Sequence, residues 1–240
     1  NIGYWKGTFE EFLELHDRAM AGVRRALPEA RVGGPDMAGS DPKFLRPFLE
    51  HSLGKGLPLD FVAFHAKGSP TYVDGHVRMG IAAQLATIDQ GFRTIASFPE
   101  LKRTPIVIGE SDPEGCAACQ GPPLAYRNGT MYSSYTAASF ARKHDLARRH
   151  GVNLEGALTW AFEFEDQPYF AGFRALATNG IPLPVLNVFR MFSKMGGQRV
   201  AARSSAEVPL DPILADGVRG ASDVAAFVDV VQPSIGQPAG

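Results

Sequence analysis

The sequence predicts an α/β fold whose parallel sheet forms half of an eight-stranded (β/α)8 barrel. Apolar runs typical of buried strands alternate with helical patterns four times along the chain, which favours a parallel sheet. Four strands alone would leave two open apolar edges, and closure into an eight-stranded barrel removes both edges. The chain begins at Asn1 without a leader, so we expect it to begin in the middle of the barrel.

The predicted helices cover residues 8–26, 41–53, 73–96, 131–150 and 184–195. Thr8 and Glu11 have the spacing of a capping box at the start of the first helix. Asp41 and Pro42 favour the start of the second, because they supply an N-cap oxygen and a preset backbone angle. In the third, apolar residues recur at helical spacing, and Gly196-Gly197 follows the last.

The predicted strands cover residues 31–35, 59–65, 105–110 and 154–162. The last three are mainly apolar, as expected of strands that are buried on both faces. The first is short and runs into Gly33-Gly34-Pro35, which we interpret as a tight turn. Residues 111–128 form a loop rich in Pro, Gly and Cys.

The chain is predicted to divide at residue 199. Residues 1–198 would form the barrel portion, and residues 199–240 would start a β-rich accessory region with an irregular tail. The helical pattern ceases after Arg199, and short strands are predicted at 199–201 and 225–228. The last nine residues show no core pattern.

Composition narrows the classes of partner. The formal net charge is -1, without the basic surplus that a nucleic-acid-binding protein normally carries. No apolar run approaches the length of a membrane span. Phosphate-binding glycine loops and zinc-protease motifs are absent from the sequence. We therefore expect a small or neutral partner, no nucleic acid or membrane, and no metal or cofactor.

Polar or aromatic residues stand at the carboxyl ends of three predicted strands: His65, Glu110, and Trp160, with Glu163 and Glu165 just beyond. In a barrel the carboxyl ends of the strands converge on the active site. A charged side chain that ends a buried run is costly without partners, which favours a functional role. Glu163 and Glu165 alternate along a segment predicted to be extended, so they would point the same way.

Structural explanations exist for the same residues. Glu110 fits a capping carboxylate or an arginine partner as well as a catalytic group, and His65 fits a strand-end histidine. Trp160 fits a core position, although aromatic faces at a barrel mouth also stack on sugar rings. Cys116 and Cys119 lie in a loop without a second pair, which favours a structural disulfide or two free thiols over a zinc site.

Residues 1 to about 199 resemble glycoside hydrolase family 39, the β-xylosidase and α-L-iduronidase group. Asn1-Ile2-Gly3-Tyr4-Trp5 resembles the segment after the family's Asn-Glu-Pro acid/base motif, and Val32-Gly33-Gly34-Pro35 the turn after its fifth strand. Residues 60–65, 106–111 and 158–162 resemble strands six, seven and eight. The short loops are closer to the bacterial β-xylosidase branch.

The resemblance implies the C-terminal half of a TIM barrel and a retaining β-D-xylosidase-like hydrolase. It makes Glu110 the nucleophile, with His65, Trp160 and either Glu163 or Glu165 on the sugar. Many members carry Thr-Phe-Ser-Asp where this chain has Ala161-Phe162-Glu163-Phe164. The acid/base glutamate would precede Asn1, so we expect the chain alone to be inactive.

Several properties stay open at this stage. The partner would be a xylo-oligosaccharide or another small glycoside. An arabinosidase, an endo-glycosidase or a non-catalytic carbohydrate-binding barrel fits the same pattern. The resemblance does not distinguish a bacterial cytoplasmic from a periplasmic location, or a monomeric parent from an oligomeric one.

Overall fold

The computed structural model describes residues 5–220 and 222–230. The segment Asn1-Ile2-Gly3-Tyr4, which contributes to the family resemblance, lies outside this part, as does the predicted irregular tail. The strands are β1 (Gly33–Met37), β2 (Phe61–His65), β3 (Thr71–Val73), β4 (His76–Arg78), β5 (Pro105–Glu110), β6 (Asn153–Ala157), β7 (Ala177–Thr178), β8 (Ile181–Pro182), β9 (Gln198–Val200) and β10 (Val228–Val230).

The α-helices are α1 (Phe9–Ala26), α2 (Pro42–Gly54), α3 (Ile81–Ala96), α4 (Thr130–His150), α5 (Pro184–Phe192) and α6 (Leu210–Asp216). Both N-terminal caps expected from the sequence are present. Thr8 and Glu11 form a capping box on α1, and the Asp41 side chain accepts from the backbone of Lys43 at the start of α2. Within the part of the chain that the structure describes, no helix is long and apolar enough to cross a membrane.

The main sheet has four strands in the order β1-β2-β5-β6, and every neighbouring pair is parallel. The predicted parallel α/β architecture is therefore confirmed. These four strands have the same order in the sheet as in the sequence, and each connection between them contains a helix. This is the arrangement that successive units of a barrel produce.

One face of the sheet carries the main core. Val62 and Phe64 of β2 and Ile106 and Ile108 of β5 are fully buried and pack in one cluster with apolar residues of α2, α3 and α4. Because side chains alternate along a strand, the intervening residues face the other way. Burial of each such side chain stabilises the fold by about 1.5–3 kcal/mol.

The opposite face of the sheet is crossed by an ion pair. Both guanidinium Nη atoms of Arg31 donate to the carboxylate of Glu155 at 2.7 Å. Arg31 precedes β1 and Glu155 belongs to β6, so the pair joins the two outer strands. The Arg31 guanidinium also lies 5.9 Å from the Phe61 ring centroid, near the amino end of β2.

The helix predicted from residue 73 instead begins at Ile81 and is preceded by the β3–β4 hairpin. Asp74 and Gly75 at the hairpin turn both have positive φ, of 50° and 81°. Positive φ at both central residues is the geometry that an Asp-Gly pair favours between antiparallel strands. Gly80 then separates the hairpin from α3, with φ of 64° and a close approach to the Ser69 carbonyl.

Gly33-Gly34-Pro35 lies within β1 and does not form the predicted turn. Its three residues pair in parallel with Phe61, Val62 and Ala63. A Cβ on Gly33 would lie 2.1 Å from the Phe61 carbonyl oxygen, so the close pairing requires a glycine. Proline is tolerated because β1 is an outer strand with one unpaired edge in the described sheet.

The strand predicted over residues 154–162 ends at Ala157. Leu158 still exchanges backbone hydrogen bonds with Ile108 and Ser111, but the chain then leaves the sheet. The carbonyl of Trp160 accepts from the Arg174 side chain, and that of Phe162 accepts from the backbone of Leu176 and Ala177. These distant partners replace the hydrogen bonds of a sheet.

The C-terminal segment contains two short strands and an unpredicted helix. β9 lies within one residue of the strand predicted at 199–201, whereas β10 begins at the last residue of the strand predicted at 225–228. The two strands pair antiparallel. The prediction that helix ceases after Arg199 is wrong, because α6 buries Ile213 in the main core against α3. This seven-residue helix is too short for a periodic pattern. The division at residue 199 stays a prediction.

A buried lysine occupies the core-facing side of α4. Lys143 is 1% exposed, and its ammonium lies 4.4 Å from the Phe140 ring centroid. Burial lowers the pKa of Lys143 to about 7, and the charge of Asp112 opposes this only in part. The charged form is therefore costly in the folded protein.

We expect Lys143→Met to increase the stability of the chain at pH 7 by about 1–3 kcal/mol, because the buried charge is removed. The unfolded lysine keeps a pKa near 10.5. The destabilisation of the natural chain by the buried Lys143 charge is therefore greatest below about pH 7 and disappears as the pH rises to 10.5. Urea unfolding at several pH values measures this. Lys43→Met, on an exposed residue of α2, is the control. Equal pH slopes in the natural chain and the Lys143 variant would contradict the expectation.

Candidate active site

The carboxyl ends of β2 and β5 bring His65 and Glu110 together. The two residues are direct partners in the parallel register, and each ends its strand. The Nδ1 atom of His65 lies 3.5 Å from Oε2 of Glu110. Both side chains are partly exposed, so they remain accessible to a ligand.

The Glu110 carboxylate is held by a lysine. Nζ of Lys67 lies 2.6 Å from Oε2 of Glu110. Burial alone raises the pKa of Glu110, but the hydrogen bond and charge of Lys67, with smaller contributions from His65 and Trp160, bring the pKa below its usual value. Glu110 is therefore ionised at neutral pH.

His65 also contacts a carboxylate on the next strand. Its Nε2 atom lies 3.4 Å from Oδ1 of Asp36 in β1. The hydrogen bond to Asp36 raises the pKa of His65; burial opposes this, and the charges of Asp36 and Glu110 add to it. The Asp36 carboxylate lies against Gly109, where a Cβ would be 2.1 Å from Oδ1, so this packing requires a glycine before Glu110.

A second, fully buried carboxylate lies behind Lys67. Asp112 is 0% exposed and contacts the Lys67 ammonium, the Thr159 hydroxyl and the Arg174 guanidinium. The distance from Oδ1 of Asp112 to Nη1 of Arg174 is 2.5 Å. A buried charge requires such partners, so Asp112 fixes the ammonium that in turn contacts Glu110.

The network continues into the loop that contains the cysteines. Oε1 of Glu114 accepts from Nε of Arg174 at 2.7 Å and from Nη2 of Arg127 at 2.6 Å. Arg127 also donates to the carbonyls of Cys116, Ala117, Cys119 and Gly172. Cys116 and Cys119 form a disulfide, which decides between the two structural alternatives. The loop is therefore fixed by one covalent bond and a buried guanidinium.

Gln84 of α3 fixes the backbone beside the charged groups. Its amide donates to the carbonyls of Ala66 and Asp112 at 3.0 and 3.2 Å. Its oxygen accepts from the hydroxyls of Tyr135 and Ser139 of α4. The residues next to Lys67 and Glu110 are thereby tied to both helices.

Trp160 lies beside Glu110 and presents part of its indole to solvent. The side chain is 45% exposed, and it contributes to the lowered pKa of Glu110. The ring lies 6.4 Å from that of Phe164. It is thus an exposed aromatic surface at the strand ends rather than a core residue.

Glu163 and Glu165 do not join this cluster among the described residues. The carboxylate of Glu163 accepts from the backbone of Gly180 at 2.8 Å, and Glu165 is exposed at a turn with Asp166. The predicted extended segment is not a strand in the structure: residues 163 and 164 belong to no regular element, and Glu165 lies in a turn. Within the described ranges, no group of three or more His, Cys, Asp or Glu residues has the geometry of a metal site.

Four residues of the site were not identified from the sequence: Asp36, Lys67, Asp112 and Arg174. Two of them carried a local signal. Lys67 and Asp112 each lie two residues after a predicted site residue, and a spacing of two places side chains on the same side of an extended chain. Arg174 has no such signal, since its contacts with Asp112 and Glu114 join distant segments.

Comparisons with known proteins agree on one family. Residues 3–234 match glycosyl hydrolases family 39. The chain is 24% identical over 203 residues to a β-xylosidase of Caldicellulosiruptor saccharolyticus, covering 82% of this chain and 39% of that protein. It is 23% identical over 216 residues to a β-xylosidase of Geobacillus stearothermophilus, covering 82% of this chain and 40% of that protein. The chain thus spans about two-fifths of the length of these relatives.

A solved structure supports the fold. The chain superimposes on a monomeric β-xylosidase of Caulobacter crescentus CB15 with a TM-score of 0.62 and 20% identity, covering 81% of this chain and 39% of that one. The predicted partial (β/α)8 barrel is therefore confirmed. The match to the family extends over nearly the whole sequence, and the chain belongs to glycosyl hydrolases family 39.

Proposed function

We propose that this chain carries part of the active site of a retaining, β-D-xylosidase-like glycoside hydrolase, with Glu110 as the nucleophile. The observation that carries the proposal is the ionised, partly exposed Glu110 carboxylate with Lys67 at 2.6 Å. A nucleophilic carboxylate must be ionised while the acid/base group is protonated. The lowered pKa of Glu110 meets the first requirement.

The reaction would proceed by two displacements. Glu110 attacks the anomeric carbon, the glycosidic C–O bond breaks, and a second carboxylic acid protonates the departing oxygen. That second group then removes a proton from water, which displaces Glu110 from the sugar with net retention. On the family resemblance, we propose that the second carboxyl group belongs to the Asn-Glu-Pro motif and would precede Asn1.

The other site residues would bind the sugar. Trp160 offers an exposed aromatic surface on which a pyranose ring can stack, and His65 offers a ring nitrogen for a hydroxyl group. We keep Glu163 and Glu165 as proposed contacts to an outer part of the substrate, since neither reaches Glu110 among the described residues. The two relatives described above are β-xylosidases, which favours a xylo-oligosaccharide.

The alternative functions differ in what they require of Glu110. An arabinosidase or an endo-glycosidase would use the same nucleophile on another sugar. A non-catalytic carbohydrate-binding barrel would need Trp160 and His65 but no ionised carboxylate in contact with a lysine. The Lys67–Glu110 pair therefore favours an enzyme over a binding module.

The nucleophile can be tested by trapping. The complete natural protein that contains these residues is incubated with an activated 2-fluoro-xyloside, which forms the glycosyl-enzyme and hydrolyses it slowly. Peptide mass spectrometry should locate the sugar on Glu110, and Glu110→Gln should abolish labelling. Glu155→Gln, a carboxylate on another strand, should label normally. Labelling of a different carboxylate would refute the assignment.

The 240-residue chain by itself is expected to show no measurable hydrolysis of an aryl xyloside. By the proposal above, the acid/base residue would precede Asn1, and loss of one member of a catalytic unit removes most of the rate. Release of the aryl alcohol, followed by absorbance, measures this. Turnover that Glu110→Gln abolishes would disprove the expected inactivity while supporting the nucleophile.

Lys67→Met should raise the pKa of Glu110, because the ammonium and its hydrogen bond are lost. The side-chain carboxyl resonances of ¹³C-labelled glutamate report this titration, and Glu110→Gln identifies the signal. Lys55→Met is the matched control, since Lys55 pairs with Asp17 and not with Glu110. An unchanged Glu110 titration in folded Lys67→Met would contradict the role given to the lysine.

A further inference from the structure

A fully buried guanidinium lies beneath the exposed indole of Trp160. Arg174 is 0% exposed, and its Nη1 atom donates to the Trp160 carbonyl. Its Cζ atom lies 5.7 Å from the Trp160 ring centroid. Asp112 and Glu114 contact the same guanidinium, at 2.5 and 2.7 Å. One side chain therefore joins the aromatic surface to two buried carboxylates.

Apart from its interaction with Glu110, Trp160 has few other constraints on its orientation. It lies beyond the end of β6, where the backbone has left the sheet, and nearly half of its side chain is exposed. The nearest aromatic ring, that of Phe164, is 6.4 Å away and tilted. Neither a sheet nor a packed core therefore sets the direction of the indole.

We propose that Arg174 is a positioning residue that fixes Trp160 beside Glu110 and so determines where a sugar ring can stack. This inference rests on the proposed function, which makes Glu110 the nucleophile and Trp160 the sugar platform. The planar guanidinium has five donors in a rigid fork and can bind two carboxylates and a carbonyl at once. Because its carboxylate partners are buried, the fork cannot rotate away from Trp160.

Arg127 provides an internal comparison. It is also buried, and it also donates to Oε1 of Glu114, at 2.6 Å. Its remaining contacts go to the carbonyls around the Cys116–Cys119 disulfide and to Gly172. Trp160 is not among its partners in the described part of the chain. The same substitution at the two arginines therefore separates contact with Trp160 from general support of the network.

The test uses the 240-residue chain with Trp5→Phe, since Trp5 and Trp160 are its two tryptophans. With excitation selective for tryptophan, the emission then comes from Trp160 alone. Acrylamide quenching reports the exposure of the indole, and the change in emission with pH reports ionisation of the neighbouring Glu110. Glu110→Gln identifies that change by removing it.

Arg174→Lys keeps the positive charge but loses the fork. We expect it to increase the acrylamide quenching constant by about twofold and to reduce the pH-dependent emission change to less than about half, because the indole is released. Arg127→Lys should leave both quantities nearly unchanged. A purely structural role would not separate the two variants. Equal behaviour of the two, or an unaltered Trp160 in Arg174→Lys, would overturn the proposal.

Folding of each variant is checked by its thermal transition. If Arg174→Lys does not fold, Arg174→Gln is measured in its place. Loss of the transition in both would assign Arg174 to fold stability alone and would also overturn the positioning role. Neither fluorescence measurement uses a sugar. A failure of the trapping experiment on Glu110 can therefore be told apart from a failure of the positioning role of Arg174.

Discussion

The Lys67 ammonium lies between two carboxylates, and the arrangement of the site depends on it. One of them, Asp112, is fully buried, and the other, Glu110, faces solvent at 2.6 Å from the nitrogen. A buried carboxylate without a cation would be strongly destabilising. Asp112 therefore holds the lysine in place, and the lysine keeps the solvent-facing carboxylate ionised.

Positively and negatively charged side chains also alternate through the rest of the site. Arg174 links Asp112 to Glu114, and Arg127 links Glu114 to the disulfide loop. Each interior carboxylate has at least one guanidinium or ammonium partner, so the network satisfies buried charges while remaining rigid. Rigidity behind a reacting group is useful, because small displacements of catalytic atoms are costly to rate.

Local patterns in the sequence predicted the helices and strands well, but they predicted the contacts between these elements poorly. Capping residues located α1 and α2, and buried apolar runs located the strands that end at His65 and Glu110. The β3–β4 hairpin was missed, although Asp74-Gly75 is a hairpin signal, because the apolar stripe of α3 was extended too far. Arg174 was not predictable, since its partners Asp112 and Glu114 are about sixty residues away in sequence.

The ion pair between Arg31 and Glu155 has a consequence for access to Glu110. It joins the outer strands on the face turned away from the helices, and the Arg31 guanidinium lies near the Phe61 ring at the amino end of β2. His65 and Glu110 lie at the other ends of their strands. The Arg31–Glu155 pair and the Glu110 carboxylate thus lie toward opposite ends of the strands. A ligand that contacts Glu110 therefore approaches the carboxyl ends of the strands, away from the Arg31–Glu155 pair.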